Sequence, residues 1–172
     1  MSQNIASSNE YLNALTQAKQ LITNAQEKFL RSANRISMEV RLNLGEIIAE
    51  HSVKHDWGKS VLENFSKDLL IAFPGNTGFS TRNLAYMRQF YDEYNKHQVL
   101  LQLSKEVSWG TNIVIMSKVK DYEARKFYLE MAMETMCSRD VMVNQISSKA
   151  FERGFLQDKK HNFSATLPEV QA

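Results

Sequence analysis

Arg82, Tyr86 and Gln89 recur at helical spacing, with Lys67 and Arg88 nearby, and they are the side chains here whose chemistry suggests a partner. A guanidinium pairs with guanine and a carboxamide with adenine in the major groove. A tyrosine hydroxyl suits a phosphate or sugar, and Lys67 and Arg88 are candidate phosphate contacts. The plainer alternative for the same residues is a solvated helix face. No Gly-rich phosphate loop, GxSxG elbow or HExxH pair is present. The acidic-x-Lys triplet Asp158-Lys159-Lys160 lies in a stretch without periodicity, where it cannot hold a magnesium ion as a nuclease requires. Cys137 follows Met133 and Met136, and its ordinary reading is a small apolar side chain rather than a nucleophile. His51, His55, His97 and His161 are scattered, so no metal site and no cofactor are expected, and the chain is not expected to be an enzyme.

These residues need a frame to hold them, and the pattern predicts an all-α one. The stretch 57–94 reads as two amphipathic helices joined by a five-residue turn, the outline of a helix-turn-helix. The first of the two is expected from about Lys59 to Phe73, with Val61, Leu62, Phe65, Leu69 and Phe73 on one side and Pro74-Gly75 as the stop. Ser80 is placed to cap the second, with Phe79 and Leu84 at the two positions of a hydrophobic staple. Leu84, Met87, Tyr91 and Tyr94 should then face the core, leaving Arg82, Tyr86 and Gln89 to project elsewhere.

Ahead of this hairpin, residues 9 to 51 contain no proline and no glycine before Gly45, which predicts a long helix. Leu15, Ile22, Phe29 and Ile36 recur every seven residues, with Ala18, Ala25 and Ala33 near the flanking positions. This stripe packs either on the rest of the domain or on a second copy as a dimerisation seam. Further on, a short helical segment around 96–103 leads to Ser104 as a possible cap for a helix over 107–119. Asp121 is expected to cap the next, with Phe127, Tyr128 and Met131 inward, and Ser138 another that ends near Arg153 before Gly154. Trp57 and Trp109 read as core anchors, and Arg125-Lys126 and Arg139 as a possible extension of a basic face. The expected division is a helical domain over 1–155 and a linker over 156–172.

Composition agrees with this frame. The 172 residues are 43% hydrophobic and 23% charged, as in an ordinary globular domain. No apolar run reaches the roughly 20 residues of a membrane span, so no membrane partner is expected. A single cysteine suits a reducing cytoplasm. The net charge of +2 supports a nucleic-acid partner only weakly, although residues 81–172 hold 13 basic against 11 acidic side chains, where 1–80 hold 8 of each.

The residues also carry a resemblance. The elements Phe65-Ser66-Lys67-Asp68-Leu69, Phe73-Pro74-Gly75, Gly78-Phe79-Ser80-Thr81-Arg82-Asn83-Leu84 and Met87-Arg88-Gln89-Phe90-Tyr91 together resemble the N-terminal domain of the YhcG family, a domain of unknown function. The likeness covers about residues 11 to 168. It implies a helix-turn-helix or winged-helix DNA-binding module that precedes a nuclease domain of the PD-(D/E)xK type, in mobile-element, restriction or phage-defence settings. It also implies that Phe163 to Pro168 lead toward that nuclease domain, in cis or supplied in trans. The sequence departs from the family at Arg41-Leu42, where a Tyr-Trp pair is common, at Thr111 in place of histidine, and at Cys137 in place of tryptophan.

Overall fold

The computed structural model describes residues 9–55 and 58–154, all of whose regular structure is helical. The helices are α1 (Asn9–His55), α2 (Lys59–Ala72), α3 (Thr81–Tyr94), α4 (Gln98–Lys105), α5 (Trp109–Lys118), α6 (Tyr122–Thr135) and α7 (Arg139–Ser147), with a short 3₁₀ turn at Thr77–Phe79. The expected linker 156–172 and the anchor Trp57 lie outside the described residues.

Helix α1 runs four residues beyond the expected end and is about 70 Å long at 1.5 Å per residue. Only its C-terminal half joins the body. Every residue from 9 to 30 is exposed, whereas Met38, Gly45 and Ile48 are buried. The described chain therefore does not cover the heptad stripe: Leu15 is 37%, Ile22 57%, Phe29 72% and Ile36 65% exposed. The expectation that the rest of the domain packs on this stripe is overturned. At 100° per residue the stripe lies on the side of α1 opposite Met38 and Gly45, so the body sits on the other face.

The body is built around α3, which packs most extensively on α1. Their closest approach is at Gly45, where an added Cβ would lie 2.2 Å from the Met87 carbonyl oxygen and 3.1 Å from Tyr91 Cβ. Leu84, Met87, Phe90 and Tyr94 form the buried side of α3. Tyr91, expected in the core, is half-buried at the rim, and its hydroxyl donates to Glu46 at 3.0 Å. Two apolar clusters result. Ile48, Leu62, Leu84 and Met87 form the smaller one, and Met38 of α1 with side chains of α3 to α7 and their connectors forms the larger. Trp109 packs against both, edge-on to Phe90 at 5.6 Å and beneath the Arg41 guanidinium at 5.5 Å.

Ser80, Asp121 and Ser138 cap α3, α6 and α7 as expected, accepting from the N–H groups of Asn83, Ala124 and Val141. Ser104 does not cap α5. It lies inside α4, where its hydroxyl donates to the Leu101 carbonyl, and Ser108 takes the capping role by accepting from Thr111 N–H. The buried Asn112 explains the tight junction. Its amide donates to the carbonyls of Ser104, Val107 and Ser108 at 2.9, 3.0 and 3.2 Å, satisfying the end of α4. Helix α7 stops at Ser147, short of the expected Arg153, and the backbone turns at Lys149 with φ 55° before helical geometry resumes.

Candidate nucleic-acid interface

The connector between α2 and α3 spans residues 73–80, longer than the five-residue turn expected and than the three or four residues of a helix-turn-helix. It is nonetheless tied down. Gly75 has φ +88°, a left-handed conformation open to glycine. The buried Ser66 hydroxyl on α2 donates to the Phe79 carbonyl at 2.7 Å, and Asn76 accepts from Gly78 N–H at 2.9 Å. Asn83 completes the clamp. Its amide donates to the Gly78 carbonyl, and its side-chain oxygen accepts from the Trp109 indole at 2.7 Å. The neighbour of Arg82 thus fixes the start of α3 to both the connector and α5.

On that fixed helix, Arg82, Gln89 and Asp92 lie on the side away from the buried residues, while Ala85 packs against the smaller cluster. Arg82 is exposed, with its guanidinium over the Tyr86 ring at 5.5 Å and donating to the Tyr86 hydroxyl at 3.1 Å. Tyr86 itself does not stand on the free face. It is half-buried against the larger cluster and acts as a shelf for Arg82. Gln89 is half-buried, and its amide donates to Glu93 at 2.7 Å.

Arg82 and Arg88 meet at one cleft of about 510 Å³ between α1, α2 and α3. Ile48, Leu62 and Ala85 supply apolar lining, and Lys59 adds a third cation. Glu63 is the acidic group among the described residues there, 3.7 Å from Lys59 Nζ. Arg88 also borders an adjoining recess of about 550 Å³, shared with Glu50, Lys54 and Asp92. Lys67 is exposed on α2 and does not line either hollow. Sequence reasoning missed Lys59, whose only signal was its place at the start of α2 beside the α3 arginines.

Charge along α3 is polarised. Arg82 stands in the first turn, whereas Asp92 and Glu93 stand in the last. Burial pushes the Glu93 carboxyl up, but hydrogen bonds from Gln89 and Arg125 and the charges of Arg125 and Lys120 outweigh it, holding it below the usual carboxylate range. Arg125, expected on a basic face, is only 7% exposed. Its Nε donates to the Val119 carbonyl at 2.6 Å, its Nη2 to Met116 at 3.1 Å and to Glu93, and it lies 5.4 Å from the Tyr94 ring. It neutralises the C-terminal end of α5 and the Glu93 charge, which is a structural role. Burial also pushes the Tyr94 hydroxyl up to about 12. Lys126 is half-buried and 3.8 Å from Glu130, and Arg139 is exposed and 3.8 Å from Asp140.

No group of three His, Cys, Asp or Glu among the described residues could hold a metal ion. No helix among them is long and apolar enough to cross a membrane. What remains is a helical body with an unmasked arginine at the start of its central helix. Residues 17–153 match the DUF1016 N-terminal domain, and the chain belongs to that family. It is 24% identical over 181 residues to the Escherichia coli (strain K12) protein described as "Putative nuclease YhcG". That alignment takes in 87% of this chain and 47% of the relative, so the chain spans about half the length of the curated relative it matches. No solved structure matches this chain.

Proposed function

We propose that this chain is a non-catalytic DNA-binding domain that targets a nuclease of the YhcG kind, in defence against phage or in mobile-element biology. The observation that carries the reading is the placement of Arg82. It is exposed on the capped first turn of α3, with Arg88 and Lys59 at the same cleft and no carboxylate among the described residues paired to it. Guanidinium groups so arranged suit phosphates, and the positive end of the α3 dipole adds to the attraction. The acidic last turn of α3 lies at the opposite end of the helix from Arg82, so contact is made through the N-terminal end, as in groove-reading helices generally. Because the connector is long, this reading rests on the charged surface and not on the helix-turn-helix outline. The nuclease half acts in cis or is supplied in trans.

Fluorescence anisotropy with labelled duplex DNA tests it. Binding is expected at low salt, and Arg82→Ala should weaken it roughly tenfold, about 1.4 kcal/mol, within the span of one good guanidinium contact. Absence of binding at low ionic strength removes the proposal.

A second reading has its own observation in its favour. The bare stripe on α1 suits a helical module that assembles the nuclease, as a homodimer. Light scattering that gives only the 19.8 kDa monomer at all concentrations removes that reading. The two readings are compatible, since two-fold dimers read paired half-sites.

A further inference from the structure

Resting on the second reading, we infer that the occupant of the α1 stripe is a second copy of this chain, bound antiparallel through residues 11–36 with the two bodies at opposite ends of the rod.

The inference starts from the sizes of the seam residues. The large side chains Leu15, Ile22, Phe29 and Ile36 take one heptad position, and Ala18, Ala25 and Ser32 take the complementary one three residues later. None of these seven carries a charge. In a parallel pair each position meets its own copy, so alanine would face alanine in layers between bulky ones, leaving voids along the axis. In an antiparallel pair the two positions face each other. Large then meets small in the three inner layers, Ile22 against Ala25 of the partner subunit, Phe29 against Ala18 of the partner subunit, and Leu15 against Ser32 of the partner subunit, while Ile36 closes each end against Tyr11 of the partner subunit. The two-fold axis repeats each layer in reverse, and the patch becomes complementary to itself, as an isologous interface requires. Small residues also let the two helices approach at the close end of the usual 8–10 Å range.

Three further features fit this occupant. The stripe faces away from the body, so a partner helix lies along it without meeting α2 or α3. The seam sustains about four heptads, the length at which such a pattern specifies a coiled coil. Among the flanking positions, Lys19 comes opposite Gln26 of the partner subunit and Lys28 opposite Leu21 of the partner subunit, so no two cations collide. Self-association also accounts for the projecting arm. Residues 9–30 are all exposed in the described molecule, and a lone helix with exposed Ile22, Phe29 and Leu30 is marginal in water.

The test combines mass and disulfide trapping in the full chain carrying Cys137→Ala. Light scattering is expected to give twice the monomer mass, and Ile22→Asp, on an exposed face, should return the monomer with the thermal midpoint of the helical body unchanged and helical signal lost only from the arm. For trapping, Leu15→Cys and Ser32→Cys proteins are mixed and oxidised. The antiparallel seam brings position 15 next to position 32 of the other copy, whereas two copies of either position lie about 26 Å apart at 1.5 Å per residue, far beyond the ~7 Å limit of a disulfide. The mixed disulfide should therefore dominate, with little product from either protein alone. A dimer that traps 15 to 15 and 32 to 32 overturns the orientation and leaves the assembly reading standing. A monomer throughout overturns both, and assigns the stripe to a different protein.

Discussion

Gly45 is the residue on which the α1–α3 contact depends. A methyl group there would meet the Met87 carbonyl, a backbone group that cannot swing aside. Gly45→Ala should therefore cost roughly 3 kcal/mol or more by overpacking, read as a lowered thermal midpoint. Gly58→Ala, where an added Cβ meets nothing within 4 Å, is the control and should change little. Glu93 offers a second test at this scale. Its carboxyl is held low, so its contribution is fully present above the ordinary carboxylate value near ~4.3 and fades as pH falls through the lower folded value. Replacing it strands the buried Arg125 cation. Glu93→Gln should be less stable near neutral pH by roughly 3 kcal/mol, and the gap to wild type should close in acid. A gap that stays constant between pH 7 and 3 contradicts this account of the pair. Neither role was legible beforehand. Gly45 drew no reading of its own and Arg125 was read as part of a basic face, because both depend on partners about 40 and 30 positions away that no local pattern reveals.

Elements were more legible where their signals are local. The Ser80, Asp121 and Ser138 caps follow from one side chain reaching an amide three residues on, and they hold. Ser104 misled because Ser108 offers the same signal, and only the buried Asn112 amide decides which serine begins the helix. The connector 73–80 came out longer than expected because α2 stops at Ala72 and the staple and cap residues Phe79 and Ser80 lie outside α3, with Thr77–Phe79 closed as a 3₁₀ turn. The end of α6 carried no signal either, since Met136 adopts φ 50°, a left-handed conformation that usually selects glycine. Met136→Gly relieves about 1 kcal/mol of backbone strain, less what the half-buried side chain contributes by packing. A thermal midpoint that rises or holds is expected. A fall of several degrees would mean that the Met136 contacts outweigh the strain. For α1 the seven-residue period was plain from the sequence, but a period names a sticky face without naming what covers it.

At the scale of the whole molecule, the all-α class and the family were open to reading because helical periodicity and the Phe73 to Tyr91 elements are local. The interface was not. Arg82 and Arg88 are brought to one cleft with Lys59 by the packing of α2 on α3, and Tyr86 was withdrawn from the free face by the larger cluster. Contacts with phosphates release counterions, so the logarithm of affinity falls linearly with the logarithm of salt, by nearly one unit of slope for each neutralised phosphate. The most direct measurement is this slope for wild type, Arg82→Ala and the exposed control Lys118→Ala, by anisotropy with one duplex between about 50 and 200 mM salt. Affinity should fall steeply with salt, with the Arg82→Ala slope shallower by about one unit and Lys118→Ala unchanged. Equal slopes for wild type and Arg82→Ala, or binding indifferent to salt, would contradict the assignment of this surface to DNA.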